Sequence, residues 1–460
     1  VSGFPYSDEY QIHRTLPEDG VEQKTILQMM SDMSSRENIS WESGQCSGTM
    51  YCGDHDHYDF LNDAFSKFSY VNTLQRDMCP SATKFEAEII AMTLDLLGAN
   101  ALVDASPGGL VTSGGSGSIA HAVLAYRESN ANSVSRPNMI KPETAHPAFE
   151  KAGHLFGVDM KIAPVDPVTT LVDLEWVKAN IDVNTVAIIG SACNYGYGTV
   201  DPITELGAIA LEHEIGLHVD SCLGGFILPF GHELGYDVAP FDFSVPGVTT
   251  ISADTHKYGY ALKGTSVLAF ANQALRNSQY FYLTDWSGGK YCSPGMDGSR
   301  SGGLLAATWA AMVHLGRSGY RRYAEAIFST SATLQSAVRA HPSLRIVGSP
   351  SFLFSFTSDE FDIYLVNDFL RQRGWRLNGQ QYPNAIHMAV TRPQTQPGVV
   401  ERWTTDLADA VTYATVHKDE AAKSGAIYGG VAGGTNDEAD EFIKTVMADM
   451  MDRQASIPAQ

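Results

Sequence analysis

Residues 251–264 read ISADTHKYGYALKG. A β-branched, apolar run (248–251) stops at Ser252, Ala253 and Asp254, and His256, Lys257, Tyr258 and Tyr260 follow at once. An ordinary surface lysine stands among polar residues. Lys257 instead ends a strand-like segment and is hemmed in by an imidazole and two phenols. Burial disfavours the charged form of an amine, so this packing is expected to lower the pKa of Lys257, and the neutral amine is the form that attacks a carbonyl to make a Schiff base. The plain alternative is a lysine that happens to close a strand.

Two other stretches favour the chemical reading. Residues 111–119, VTSGGSGSI, lead into a helix-like pattern (Ile119, Ala122, Val123, Tyr126). Gly114, Gly115 and Gly117 allow close approach of the backbone, Ser113, Ser116 and Ser118 supply hydroxyls, and the start of a helix offers free N–H groups. This is the composition of an anion cradle, and its spacing is neither the dinucleotide fingerprint nor a Walker loop. Residues 216–225, GLHVDSCLGG, contain a short alternating strand with Asp220 at its carboxyl end, where open α/β sheets bind ligands. Asp220 as a helix cap is the alternative there. A Gly/Ser phosphate loop, a strand-end aspartate and a strand-end lysine are together the three attachments of pyridoxal phosphate: its phosphate, its ring nitrogen and its aldehyde.

With these motifs in view, TSGGSGS (112–118), TAHPAFEKAG (144–153), HVDSCLGGF (218–226), ADTHKYGYALKG (253–264), DWSGGKYCSP (285–294) and GSRSGG (298–303), the chain resembles the pyridoxal-phosphate-dependent sphingosine-1-phosphate lyases, a branch of the group II amino-acid decarboxylase superfamily. The likeness runs from about Ser47 to Gly433. It implies fold type I (aspartate-aminotransferase-like), with a large mixed-sheet domain and a smaller C-terminal α/β domain. Residues 1–58 are expected to form an arm contributing to the active site, 59–328 the large cofactor-binding domain and 329–460 the small domain.

The 460 residues, 44% hydrophobic and 18% charged, suffice for a globular protein of that size. A net charge of −21 argues against a nucleic-acid surface and means that any anionic substrate must meet local cations. Six cysteines without a C-x-x-C pair argue against a zinc site or disulfide framework and for a reducing, cytoplasmic setting. No metal is expected. No run reaches the length of a membrane span. The chain opens at Val1 rather than Met, which leaves room for a leader or anchor ahead of it; eukaryotic members of the resembled family carry an anchor there.

Helical patterns are read at 21–33, 59–68, 83–97, 203–213, 362–373 and 437–451, and strands at 138–142, 185–191, 216–219, 249–252, 266–270, 344–347, 353–356 and 386–390. Alternation of the two kinds through 110–270 implies a sheet covered on both faces.

The resemblance assigns further roles. His146 stacks on the cofactor ring, Ser191 meets a ring oxygen, and His256 flanks the attachment lysine. Gly302 and Gly303 meet the cofactor phosphate of a partner subunit, so the catalytic unit is expected to be a homodimer. The substrate phosphate falls to Tyr51, Asn72 and Lys263, together with Gln75, which stands where relatives usually carry the histidine of N-P-L-H. Residues 191–199, SACNYGYGT, depart from the proline- and histidine-containing loop of the family. The implied reaction is retro-aldol cleavage of a phosphorylated sphingoid base to a long-chain aldehyde and phosphoethanolamine, with Lys257, His256 or Tyr51 as the base. An amino-acid decarboxylase on the same scaffold is the alternative, although no arginine announces itself for a substrate carboxylate. A non-catalytic interaction protein that kept the fold is the third reading.

Overall fold

The computed structural model describes residues 4–103, 105–424 and 437–457. The far end of the family likeness, at Gly433, lies outside the described residues. Seven strands form the main sheet: β1 (Gly108–Thr112), β2 (Asn138–Pro142), β3 (Asp159–Ala163), β4 (Thr185–Ser191), β5 (Gly216–Asp220), β6 (Thr250–Ala253) and β7 (Ser266–Phe270). Their order is β1-β7-β6-β5-β4-β2-β3. Strands β2 to β6 pair in parallel, and β7 is antiparallel to both β1 and β6. The central strands are buried along their whole length, which is why they read as continuous apolar runs such as TVAIIGS. Successive side chains alternate between faces. Ile188 packs into one core with Val219 and Ile251, while its neighbour Ile189 packs into the other with Val123, Phe149 and Leu268.

Register positions the chemistry. Ser191 pairs with Asp220, and Asp220 with Ser252, so β4, β5 and β6 end abreast. The 254–257 turn follows immediately on that edge.

After a solvent-exposed hairpin, β8 (Phe281–Leu283) and β9 (Tyr291–Ser293), the helix Gly302–Arg339 runs from the large sheet to a second one, broken at Gly316 (φ 54°, ψ 178°). The second sheet is antiparallel, with β10 (Arg345–Ile346), β11 (Leu353–Thr357), β12 (Asn378–Gln380) and β13 (Ala385–Ala389) in the order β10-β11-β13-β12. Its core holds Phe356, Trp375 and Trp403 in edge contact. The strand 266–270, whose direction the sequence leaves open, is antiparallel. Strand β3 escapes notice because it is a half-exposed edge strand, and β12 because Asn-Gly-Gln carries no β-forming residue. Among the described residues no helix is long and apolar enough to cross a membrane.

The N-terminal segment is bound to the second sheet. Beyond the helix Gln23–Glu42, Ser47 N–H donates to Arg376 O (2.9 Å), Gly48 N–H to Ala389 O (3.0 Å) and Gln394 Nε2 to Cys46 O (2.6 Å). Gly44 sits at φ +74°, and a Cβ there would lie 2.6 Å from Pro393 O, so the turn admits only glycine. These contacts deliver Tyr51 to the strand ends of the other domain.

Glu86, buried on the helix Pro80–Leu96, accepts from Val111 N (3.2 Å) at the end of β1, from Arg300 (3.1 Å) and from Arg76. Burial opposes its charge, but the two guanidinium groups outweigh it and hold its pKa below the ordinary value. Removing one member of a buried pair costs about 3–5 kcal/mol. Glu86→Ala is expected to destabilise by that order in chemical denaturation. Because the folded pKa is depressed, the contribution is present above the normal glutamate pKa and fades as pH falls through the folded value, so the gap to wild type should close in acid.

Candidate active site

A cavity of about 440 Å³ opens at the ends of β4, β5 and β6, walled by Tyr51, the 113–117 loop, His146, Ser191, Asn194, Tyr195, Asp220, Asp254, His256 and Lys257. Lys257 Nζ stands 2.9 Å from Asp254 Oδ2. Burial alone would lower the pKa of this amine. The Asp254 carboxylate, with smaller help from Tyr51 and Cys222, outweighs burial, and the pKa stands well above the ordinary lysine value. The expected lowering is therefore corrected: the sequence showed packing around Lys257 but not that a buried carboxylate three residues earlier folds back onto it. Asp254 is reciprocally held below the usual carboxylate range, burial being offset by Lys257 and then His256.

Asp220 is buried, and its Oδ1 accepts from Cys222 N–H (3.1 Å) and Ser252 Oγ (3.2 Å). His146 precedes the helix Ala148–Phe156, and its Nδ1 accepts from Ala148 N–H (3.1 Å), so the neutral ring carries its proton on Nε2. Burial pushes its pKa down, which keeps it neutral and suits a flat contact with an aromatic ring. Burial likewise drives His256 down to about 4. Its Nδ1 accepts from Gly264 and Thr265 N–H (3.4 and 3.3 Å), and its Nε2 faces Asp254 at 3.6 Å. Neither nitrogen of His256 is left to take a proton from a substrate, which removes it from the three candidate bases.

The Gly/Ser loop joins β1 to the helix Gly115–Ser129, whose N-cap, Gly114, has φ +141° and no side-chain cap. A Cβ on Gly115 would lie 2.6 Å from Asp254 Oδ2, so the loop approaches the lysine turn as closely as backbone permits. Ser113 and Ser116 line the cavity. Ser118 does not. It bonds Thr112 and Ser266 (2.7 and 2.8 Å) between helix and sheet, because helical periodicity carries it to the core side.

Lys263 and Tyr51 are brought together, with the amine 4.6 Å from the ring centroid. They share a neighbouring 270 Å³ pocket that touches the main cavity through Tyr51 and His256. Although Lys263 as a residue is exposed, desolvation of its amine by the surrounding protein, and then the charge on Lys257, bring its pKa down to about 8. Asn72, Gln75, Gly302 and Gly303 do not reach this cavity. Asn72 bonds Ser299 Oγ (2.8 Å), Gln75 is exposed, Gly302 packs on Val71 and Gly303 on Phe65. Tertiary structure adds what the sequence reading missed: Asp254, the Asn194–Tyr195 wall, and a second chamber of about 370 Å³ beyond His146 and Tyr195, bordered by Glu143, Tyr197, Gln380 and Tyr382. The Asp-x-x-Lys spacing was the one available signal for Asp254.

Residues 7–353 match the family described as pyridoxal-dependent decarboxylase conserved domain. The chain is 38% identical to a sphingosine-1-phosphate lyase of Dictyostelium discoideum, covering 97% of this chain and 83% of that one. The solved structure of the Burkholderia pseudomallei sphingosine-1-phosphate lyase superposes with a TM-score of 0.93 at 52% identity, covering 99% of this chain and all of that one. The chain belongs to the sphingosine-1-phosphate lyases. By contrast, the glutamate decarboxylase of Lactobacillus brevis, at 19% identity and a TM-score of 0.75 over 91% of this chain and 98% of that one, shares the fold alone.

A lyase of this family depends on pyridoxal phosphate, and the wall described above fits it. Ser191 Oγ and Asn194 Nδ2 are buried without a partner among the described residues, whereas buried polar atoms are as a rule paired. Both are groups left for a ligand beside an uncapped helix start suited to phosphate. Borohydride reduction of the protein loaded with pyridoxal phosphate is expected to leave the label on the peptide bearing Lys257, and Lys257→Ala should lose turnover by several orders of magnitude. Label on Lys263 would overturn the assignment.

Proposed function

We propose that this chain cleaves sphingosine 1-phosphate, a phosphorylated long-chain sphingoid base, between the amine-bearing carbon and the hydroxyl-bearing carbon, releasing a fatty aldehyde and phosphoethanolamine. The observation that carries the reading is the Lys263 amine poised over Tyr51 beside the Lys257 cavity, on a wall with no arginine among its described residues. A substrate phosphate carries about −1.5 to −2 charge, and these groups supply its local cation in a chain of net charge −21.

Pyridoxal phosphate, when bound, supplies the electron sink for the pair released at the amine-bearing carbon. Lys257 would attach it, Asp220 would hold its ring nitrogen, His146 would lie against its face and Ser191 would donate to its ring oxygen. Gly114, Gly115 and Ser116, with the helix start behind them, would receive its phosphate. Asp254 keeps the Lys257 proton close at hand for return to the reacting carbon. With His256 saturated, the hydroxyl proton falls to Tyr51, or to Lys257 as the neutral amine once it has been released from the cofactor.

The order of the voids sets the substrate's direction. The pocket at Lys263 adjoins the Lys257 cavity through Tyr51 and His256, and the chamber at Gln380 adjoins it through His146 and Tyr195. Phosphate toward Lys263 therefore sends the hydrocarbon past Tyr195.

A homodimer is part of the same proposal. Asn72, tied to Ser299, leaves Gln75 exposed and outside this chain's own cavity, next to the 298–303 turn, an arrangement suited to serving the partner's phosphate groups. The division into an arm (1–58), a large domain (59–328) and a small domain (329–460) is supported by the two separate sheets, with the helix Gly302–Arg339 running through the boundary.

The direct test offers sphingosine 1-phosphate and an amino-acid panel to the holoenzyme: long-chain aldehyde supports the lyase, and carbon dioxide from an amino acid overturns it. The lowered pKa of Lys263 adds a pH signature. The ammonium is present below about 8 and lost above it, so KM for the phosphorylated base should climb as pH rises through that value. Lys263→Ala should raise KM at neutral pH and abolish the trend, and Lys263→Arg, always charged, should flatten it.

A further inference from the structure

Behind Asp220 lies a file of buried side chains that the reaction as described does not use. Strands β5 and β6 pair His218 with Thr250 and Asp220 with Ser252, and with a period of two these four side chains share one face. Ser252 Oγ stands 3.2 Å from Asp220 Oδ1 and 3.3 Å from His218 Nε2. Thr250 Oγ1 lies 2.8 Å from His218 Nδ1 and 2.6 Å from Tyr126 OH, which is 2.7 Å from Thr249 Oγ1.

Proton counting gives the file a direction. The Ser252 hydroxyl has one proton and two acceptors in reach, and an ionised carboxylate is the stronger. Ser252 then donates to Asp220, and His218 Nε2 must be the donor to Ser252. Burial pushes the His218 pKa down to about 4, so the ring is neutral and holds a single proton. With that proton on Nε2, Nδ1 accepts from Thr250 and Thr250 from Tyr126, while the single proton of the Thr249 hydroxyl is shared between Tyr126 and Leu217 O (3.1 Å). Four hydrogen bonds thus run one way from Tyr126 and end on Asp220 Oδ1, which also accepts from Cys222 N–H, leaving Oδ2 for the cavity.

We infer that His218, acting through Ser252, is the positioning residue that holds Oδ1 of Asp220 in place and its Oδ2 aimed at the cofactor's ring nitrogen. The inference rests on the reading that Asp220 meets that nitrogen. A hydrogen bond to a charged group is the strong kind, and a chain of them polarises its members. Losing the link leaves Asp220 a weaker partner for the ring proton.

The test uses the holoenzyme and three variants: Ser252→Ala, His218→Leu and His218→Gln, the last keeping an amide nitrogen where Nε2 stood. Ser252→Ala and His218→Leu are expected to lower kcat about 10- to 100-fold, with KM for sphingosine 1-phosphate little changed, and to raise the dissociation constant of pyridoxal phosphate about 10-fold. His218→Gln should recover most of both. Reconstitution with N-methyl pyridoxal phosphate, whose ring nitrogen is permanently charged, should bring the variant-to-wild-type ratio of kcat toward one, because ring charge then no longer depends on Asp220. An unchanged kcat and cofactor affinity in Ser252→Ala overturns the inference. So does a loss that is the same with either cofactor and tracks a fall in thermal midpoint, which marks a merely structural role. Asp220→Asn separates the two layers: if it leaves kcat and cofactor affinity intact, the reading of Asp220 itself fails, whereas if it impairs them while Ser252→Ala does not, the relay alone falls.

Discussion

A carboxylate buried at the end of a strand cannot stand alone, and much of the architecture answers that constraint. Asp254 is 1% exposed, and the desolvation of an unpaired charge costs several kcal/mol even after relaxation. Its counter-charge is Lys257, one turn later, in a loop closed by Lys257 N–H to Asp254 O (3.2 Å) and Tyr260 N–H to Lys257 O (3.0 Å). Two neighbours adapt to the pair. Residue 115 must be glycine because Asp254 occupies the place of its Cβ. Tyr258, buried behind the lysine, fixes the turn to the second sheet through its bond to Val390 O (2.7 Å). The ion pair thus sets how near the Gly/Ser loop comes to the lysine, and Tyr258 ties the lysine turn to the second sheet.

The same pair resolves how a lysine serves here. A neutral, desolvated amine is one way to prepare a nucleophile, and it was the natural expectation for Lys257. The fold takes the other course, holding the amine charged against a carboxylate that can share the proton, while burial is used on the imidazoles instead. His146, His218 and His256 are all kept neutral by their surroundings. Lys257 and Lys263 repel one another; burial first, and then that repulsion, bring Lys263 to a value where it titrates near physiological pH. Because Asp254 already answers the charge of Lys257, Lys263 is the cation that the proposed anionic substrate would meet in a chain of net charge −21.

Local pattern carried a good part of this. Between its terminal Thr185 and Ser191 the run TVAIIGS has no polar residue, and its length is enough for a buried parallel strand; β2, β4 and β7 stand where the pattern places them. Asp54 caps the helix His55–Ser66, which starts four residues ahead of the 59–68 pattern, and Asp362 caps the helix Ile363–Gln372, which starts within one residue of the 362–373 pattern. The helices Gly302–Arg339 and Val399–Val416 went unread, and Gly316 interrupts the first of them. The placement of the strand-end residues was readable because short motifs carry it: a glycine pair before a helix, an aspartate at the end of an alternating strand, a lysine after a β-branched run.

The sequence by itself determined the α/β class, the candidate attachments for cofactor phosphate, ring nitrogen and aldehyde, and the lyase family, since each is written within a dozen contiguous residues. Only the tertiary structure decided which of the named residues meet. It joined Tyr51 to Lys263 across more than two hundred residues, turned Ser118 into the core and kept Asn72, Gln75, Gly302 and Gly303 out of the Lys257 cavity. It also aligned His218, Ser252 and Asp220 into one file by strand register. The physical reason is the range of the forces. Turn chemistry and periodicity act over a few residues, whereas register, burial and the pairing of charges depend on which distant segments the sheet brings side by side.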